Sequence, residues 1–341
     1  MNCRIAILLF TAANLIVPLS ILGQDSVNFP TIGEVLRLDK EIDQVIDKDA
    51  KIEVLSSGFT WSEGPAWVNE DGYLIFSDVW ENRVIKWQEG VGAEVFLEPS
   101  GYTGIGHYSR GLGSNGLAMD NLGRLISCDQ GDRRLSVMKF GQGKRTIADN
   151  YQGKRFNSPN DVTVAITGRI YFTDPPYGLP QHQDDTTREI DFCGVYYLDR
   201  SGEVLLITDE LPFPNGIDLS YDERTLFVAQ SDSDNPIVMA YDLNDDGTAK
   251  SSKGKLHFDA SPYRKYGPGN PDGIKTDQSG NLWITGMGGV MVVNPDGKLI
   301  GHVITGEQTS NCAWGDSGST LYITADTYLC RIRTKVVGRR F

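Results

Sequence analysis

Six short polar residues stand at the head of one recurring phrase: Glu63, Asn115, Asn160, Asn215, Asp272 and Asn311. They open SEGPAW, SNGLAM, PNDVTV, PNGIDL, PDGIKT and SNCAWG. All six carry a side-chain oxygen, and only the Glu and the Asp carry a charge. Carboxylate and amide oxygens together are what a hard divalent cation accepts. If the six converge, they form a cation site; a packing ring would need apolar residues instead. The competing account is turn chemistry, since Asn and Asp bond their own backbone in turns. Six fillings of one slot favour the shared site.

The elements that would position them repeat as well. Each phrase runs through a turn rich in Asp, Asn and Gly into a second apolar strand: YLIFSD, RLISCD, RIYFTD, TLFVAQ, NLWITG and TLYITA. Third strands follow, as in NRVIKWQ, RRLSVMKF and GVYYLDR. The polar residues are separated by 52, 45, 55, 57 and 39 positions. That is the size of a four-stranded blade with variable loops. The reading is an all-β chain, a six-bladed β-propeller in which the first strand of each blade lines a central channel. The longest insertions, residues 101–112 and 175–192, are expected to overhang the polar end of that channel.

Residues 52–341 form the propeller in this reading, and residues 24–51 a short lead-in. Val35, Leu36, Leu38, Ile42, Val45 and Ile46 space like a helical stripe, expected to pack outside the first blade. Residues 1–23 read as a secretory signal peptide. Arg4 precedes an apolar run broken by Asn14 and Pro18, and Gly23 offers a small residue for cleavage. The expectation is an exported protein, periplasmic or secreted, with no stable membrane span after cleavage.

The formal net charge of −13 argues against nucleic acid and anionic membranes as partners, because both attract Lys and Arg. Cys128, Cys193, Cys312 and Cys330 match no zinc spacing and read as free thiols, with a disulfide left open. The composition says nothing of oligomeric state.

In this order, SEGPAW, SGYTG, GSNGL, RFNSPNDV, YFTDPPYGL, PNGI and PDGI resemble the senescence marker protein/gluconolactonase/luciferin-regenerating enzyme family, most of all its bacterial gluconolactonase-like branch. The resemblance implies a six-bladed propeller with one divalent cation, Ca²⁺ first and Zn²⁺, Mn²⁺ or Mg²⁺ as alternatives. It implies Glu63, Asn160, Asn215 and Asp272 as ligands, and Asn115 and Arg155 as substrate contacts. The implied reaction is hydrolysis of a small-molecule sugar lactone. One departure stands out: Gln130 follows Asp129 where the branch commonly has His.

The chemistry is coherent. A cation polarises the lactone carbonyl and stabilises the oxyanion formed on water attack. Asp272, charged and beside the cation, is the expected general base. His107 and His182 sit in the long loops, and Tyr177 in DPPYGL; His107 and Tyr177 are carried forward as further substrate contacts. Trp61, Trp67 and Trp283 read as blade core. No GxSxG elbow is present, which argues against a serine nucleophile. Two alternatives stay open: a phosphotriesterase-like hydrolase on the same site, and a non-catalytic sugar- or protein-binding propeller.

Overall fold

The computed structural model describes residues 28–341. The signal-peptide reading over residues 1–23 lies outside them. Six antiparallel sheets follow one another around an axis. The first blade is built from Ser62–Val68, Tyr73–Asp78, Arg83–Gln88 and Gly92–Leu97, innermost strand first. The next four blades begin at Ser114–Met119, Val162–Val164, Pro214–Leu219 and Ile274–Thr276, and the last at Thr309–Gly315. Each of these innermost strands touches the innermost strand of the blade before and after it, so they form a closed ring. This is the six-bladed β-propeller expected from the repeat.

The second strands are nearly continuous apolar runs because both of their faces are covered by neighbouring blades. Tyr73–Asp78, Leu125–Asp129 and Thr320–Ala325 are buried along their whole length. The hydrophobic clusters accordingly lie between blades. One joins Phe156, Phe172 and Tyr196, whose rings contact at 5.2–5.5 Å between centroids. Burying aromatic rings of this size stabilises by roughly 1.5–3 kcal/mol each. Cys128, Cys193, Cys312 and Cys330 are free thiols, all buried.

The sixth blade is composite. Its strands Thr309–Gly315, Thr320–Ala325 and Tyr328–Arg333 are completed by Ile52–Ser57 from the start of the propeller. The ring is therefore sealed by backbone hydrogen bonds between the two ends of the domain.

The lead-in corrects the helical expectation. Thr31–Ile32 extends the sixth blade, Glu34–Arg37 extends the fifth, and only Ile42–Val45 is helical. The apolar stripe from Val35 to Ile46 lies on the fifth and sixth blades, and Phe29, ahead of it, packs on Trp87 of the first. An outer blade strand has unpaired N–H and C=O groups, and a passing chain satisfies its own by joining that edge. Ile42, Val45 and Ile46 then bury against Trp283 and Trp314.

Candidate active site

The recurring polar residue is aimed at the axis by a break in strand pairing. Register shifts fall at Glu63/Ala66, Ser114/Leu117, Pro214/Ile217 and Thr309/Asn311, each at or beside the polar position. A bulge of this kind rotates a side chain out of the regular alternation.

The glycine that follows serves close packing. A Cβ on Gly64 would sit 2.0 Å from the Asn115 carbonyl oxygen, and one on Gly216 would sit 1.9 Å from that of Asp272. The freed space lets innermost strands bond each other: Gly116 N–H donates to Asn160 O at 2.7 Å and Gly216 N–H to Asp272 O at 2.9 Å. Hydroxyls on second strands clamp the same ring. Ser77 Oγ donates to Asn115 O at 2.8 Å, and Thr173 Oγ1 to Asn215 O at 2.7 Å. The polar side chains thus stand on a backbone fixed from both sides.

They surround a cavity of about 440 Å³. Glu63, Asn115, Asn160, Asn215 and Asp272 all line it. The Oδ1 atoms of Asn115, Asn160, Asn215 and Asp272 are buried and accept no hydrogen bond from the protein. A buried, unpaired amide oxygen normally costs about 1–3 kcal/mol, so four at one place mark a site built for a ligand. Asn215 is oriented by donation from Nδ2 to Ser231 Oγ at 2.9 Å, which turns its oxygen away from that contact. Ser231 Oγ in turn donates to Pro271 O at 2.6 Å.

The donor set fits a hard cation: two carboxylates and three amides, all oxygen. Among the described residues no group of three or more His, Cys, Asp and Glu could hold a metal. Any cation here must therefore use the amides. Glu63 accepts the Gly64 N–H, and burial, then the nearby Asp161 carboxylate, push its carboxyl up to about 8. Asp272 is raised too, by burial first and then by Glu63 and Asp161. The pair is short of positive charge.

Asn311 stands behind this set, where its side chain helps hold the Glu63 and Asp161 carboxyls down. It is buried, but it does not line the cavity, and its Oδ1 accepts the Cys312 N–H at 2.9 Å. Tyr177 lines the cavity and stacks on Phe213 at 6.2 Å. Burial and the Asp272 carboxylate raise its phenol, so it remains a proton donor.

His107 and Arg155 are not brought to the cavity. His107 is exposed near the tip of its loop. Arg155 is exposed as well, and its Nη2 donates to Asp132 O at 2.8 Å while its backbone N–H is held by Glu189. His182, on the short turn His182–Asp184, lines the cavity instead.

Lining residues that the sequence does not mark as contacts include Trp61, Trp80, Arg110 and Gln130. Trp61 is a correction, since it lies on the cavity wall and not within a blade core. It stacks on Trp80 at 5.4 Å with the rings 16° apart. Trp67 and Trp283 do pack in the interior. Gln130 is buried, with Nε2 unpaired. It stands where the missing His was noted, and that departure was its only signal.

Residues 61–327 match the family described as the SMP-30/Gluconolactonase/LRE-like region. A gluconolactonase of Zymomonas mobilis is 36% identical over 322 residues, which cover 93% of this chain and 90% of that one. The structure of a gluconolactonase from Xanthomonas campestris superimposes with a TM-score of 0.74 at 30% identity, covering 91% of this chain and 96% of that one. A calcium-binding protein, regucalcin, of Agrobacterium tumefaciens shares the fold at a TM-score of 0.65 and 18% identity, covering 83% and 94% of the two chains.

Proposed function

We propose that this chain, which belongs to the SMP-30/Gluconolactonase/LRE-like family, hydrolyses a sugar lactone in the cavity at the polar end of its channel. The observation that carries the reading is the set of four buried, unpartnered oxygens on Asn115, Asn160, Asn215 and Asp272. Similarity to the Zymomonas gluconolactonase supports the choice of substrate class.

Glu63, Asn160, Asn215 and Asp272 would hold a divalent cation, and Ca²⁺ best suits their carboxylate and amide oxygens. When bound, it supplies Lewis acidity toward the lactone carbonyl. The other roles fall to the chain. Asp272, charged and at the cavity floor, accepts the proton of the attacking water. The water oxygen bonds to the carbonyl carbon, the ring C–O bond breaks, and the ring oxygen leaves as a hydroxyl by taking the proton that Asp272 received. Asn115 and the Gln130 amide orient sugar hydroxyls, and the Tyr177 phenol donates to oxygens of the substrate. Trp61 offers an aromatic face to the C–H side of the ring.

We further propose, from the apolar run behind Arg4, that the chain is exported to the periplasm or medium. Among the described residues no helix is long and apolar enough to cross a membrane.

The test is a panel of aldonolactones assayed by pH-stat, with purified protein stripped by chelator and then reloaded with Ca²⁺, Mn²⁺, Mg²⁺ or Zn²⁺. Turnover restored by one of these cations is the expected result. Failure to open any lactone, with cation binding demonstrated by calorimetry, would sink the reading.

A further inference from the structure

Among the described residues Arg110 is the one lysine or arginine on the cavity wall. Its guanidinium carbon lies 3.4 Å from the centroid of the Trp80 ring. Trp80 in turn stacks on Trp61. No carboxylate pairs with Arg110 and no protein acceptor takes its N–H groups among the described residues, although this chain is acidic and most of its buried-face arginines are paired. A guanidinium centred over an indole is held there by attraction to the ring face, and its N–H groups stay free for a ligand. Those groups match the geometry of a carboxylate or a phosphate.

Depth in the cavity separates the charges. Glu63 is buried, whereas Arg110 is exposed and Trp80 and Trp61 are half-buried. The acidic pair therefore lies at the floor and the guanidinium at the rim. A substrate with an anionic substituent is held at that end by the guanidinium at the rim. Its lactone carbonyl is then presented to the floor. The neutral wall between, with Asn115, Gln130 and Asn270, suits a hydroxylated carbon chain.

We propose that Arg110, fixed on Trp80, makes the cavity selective for lactones that carry an anionic group, phosphate or carboxylate, on the carbon remote from the ring carbonyl. This specificity rests on the lactone-hydrolase reading above.

The experiment compares three lactones of one hexose skeleton: neutral, carrying a terminal phosphate, and oxidised to a terminal carboxylate. Wild type, Arg110→Gln and Arg110→Lys are assayed for kcat/KM on each. Wild type should favour at least one anionic lactone over the neutral one by about tenfold or more, the phosphate and carboxylate arms deciding which. Arg110→Gln should reduce that ratio about tenfold, in line with loss of a charge-assisted bond. Arg110→Lys should restore part of it, which a merely structural role would not do. A wild-type ratio near one, or a ratio unmoved in Arg110→Gln, overturns the proposal. If no lactone is opened at all, the lactone-hydrolase reading fails separately. Calorimetry with the ring-opened acids then decides the matter: wild type should bind the terminal phosphate or carboxylate acid about tenfold more tightly than the neutral-ended one, and equal affinities overturn the role of Arg110.

Discussion

The two ends of the central channel use the same strands and nearly the same acidic chemistry, yet they stand in opposite electrostatic states. At the cavity end, Glu63 and Asp272 are buried and make no ion pair among the described residues, Lys275 only weakly opposes the burial of Glu63, and both are pushed above the usual carboxylate range. At the far end, Asp218 is just as buried but is held below it. Burial alone would raise Asp218; Arg339 and then Lys275 more than offset that. Arg339 Nη2 reaches Asp218 Oδ1 at 3.0 Å and its Nη1 reaches Glu223 Oε1 at 2.8 Å. Thr163 and Thr276 complete the hydrogen bonds to the same carboxylate. Arg340 crosses to the carbonyls of Met119 and Val164, so residues 338–341 tie several blades together across this opening. Only about 170 Å³ of space is left there. Asn215 and Asp218 are three residues apart on one strand, and Asp272 lies three residues before Lys275, just ahead of the strand Ile274–Thr276. Function and stability are thus separated along a single strand: one end leaves its carboxylates for a ligand, and the other supplies its own cations.

The largest test of that contrast removes a charge from the open end. Asp272→Ala should abolish cation binding in calorimetry and lower lactone turnover by about 10³-fold or more, the scale of losing a key electrostatic group in an active site. Unchanged binding would place the cation elsewhere. At the closed end, Arg339→Met leaves Asp218 and Glu223 facing a buried methionine. Its urea midpoint should fall by the equivalent of about 3–5 kcal/mol, the usual result of breaking a buried ion pair from one side. Cation affinity of the folded fraction should stay near wild type; a parallel loss would mean that the two ends are not independent.

A third test uses pH. A carboxyl whose folded pKa is raised holds its proton more tightly when folded. Its favourable contribution is complete below the unfolded value and is lost as pH rises through the folded one. For Glu63 that window runs from 4.5 to about 8. Chelated protein should therefore lose stability with rising pH across this window, at up to about 1.4 kcal/mol per pH unit for each proton. Saturating Ca²⁺ should flatten the slope. Asp218 has the opposite sign, and its contribution is lost only as pH falls below the ordinary range. A slope indifferent to Ca²⁺ would remove Glu63 from the ligand set. The smallest effect concerns orientation. Ser231→Ala frees the Asn215 amide, and cation affinity should drop about tenfold, as for other groups that position a ligand. The urea midpoint should hardly move.

Much of the open end could be read in advance because its residues repeat. The polar slot recurs once per blade, before a Gly in four of the six, and the repeat points to the ring of innermost strands. The closed end repeats nothing. Lys275 and Asp218 look like ordinary polar positions in a strand, and Arg339 lies far along the chain from both, so their meeting is purely tertiary. The loops behave the same way. Arg155 and Arg110 are both arginines beside the recurring phrases, but pairing of Asn150–Tyr151 with Lys154–Arg155 turns the first outward. The second reaches the cavity because its loop is anchored at the base by Asn82, whose Oδ1 accepts the N–H groups of Ser100, Gly101 and Tyr102. Nothing local distinguishes the two. The lead-in was misread because its apolar spacing answers to two blade edges at once, and not to a single helix face.

The strand Ile52–Ser57 that completes the sixth blade also has a thermodynamic consequence. Among the described residues it makes that blade the one whose four ring strands come from both ends of the propeller, so the ring has one seam, whereas Glu34–Arg37 only adds a fifth strand at the outer edge of the fifth blade. Opening there would break pairing between Tyr328–Arg333 and Ile52–Ser57 without disturbing the other five sheets. Glu63 stands on the blade after the seam and Asp272 on the blade before it. A ligand shared by these two carboxylates spans the seam and is lost when it opens. Occupancy of the site and closure of the ring are then linked equilibria, and a saturating ligand raises the free energy of opening in proportion to the logarithm of its concentration.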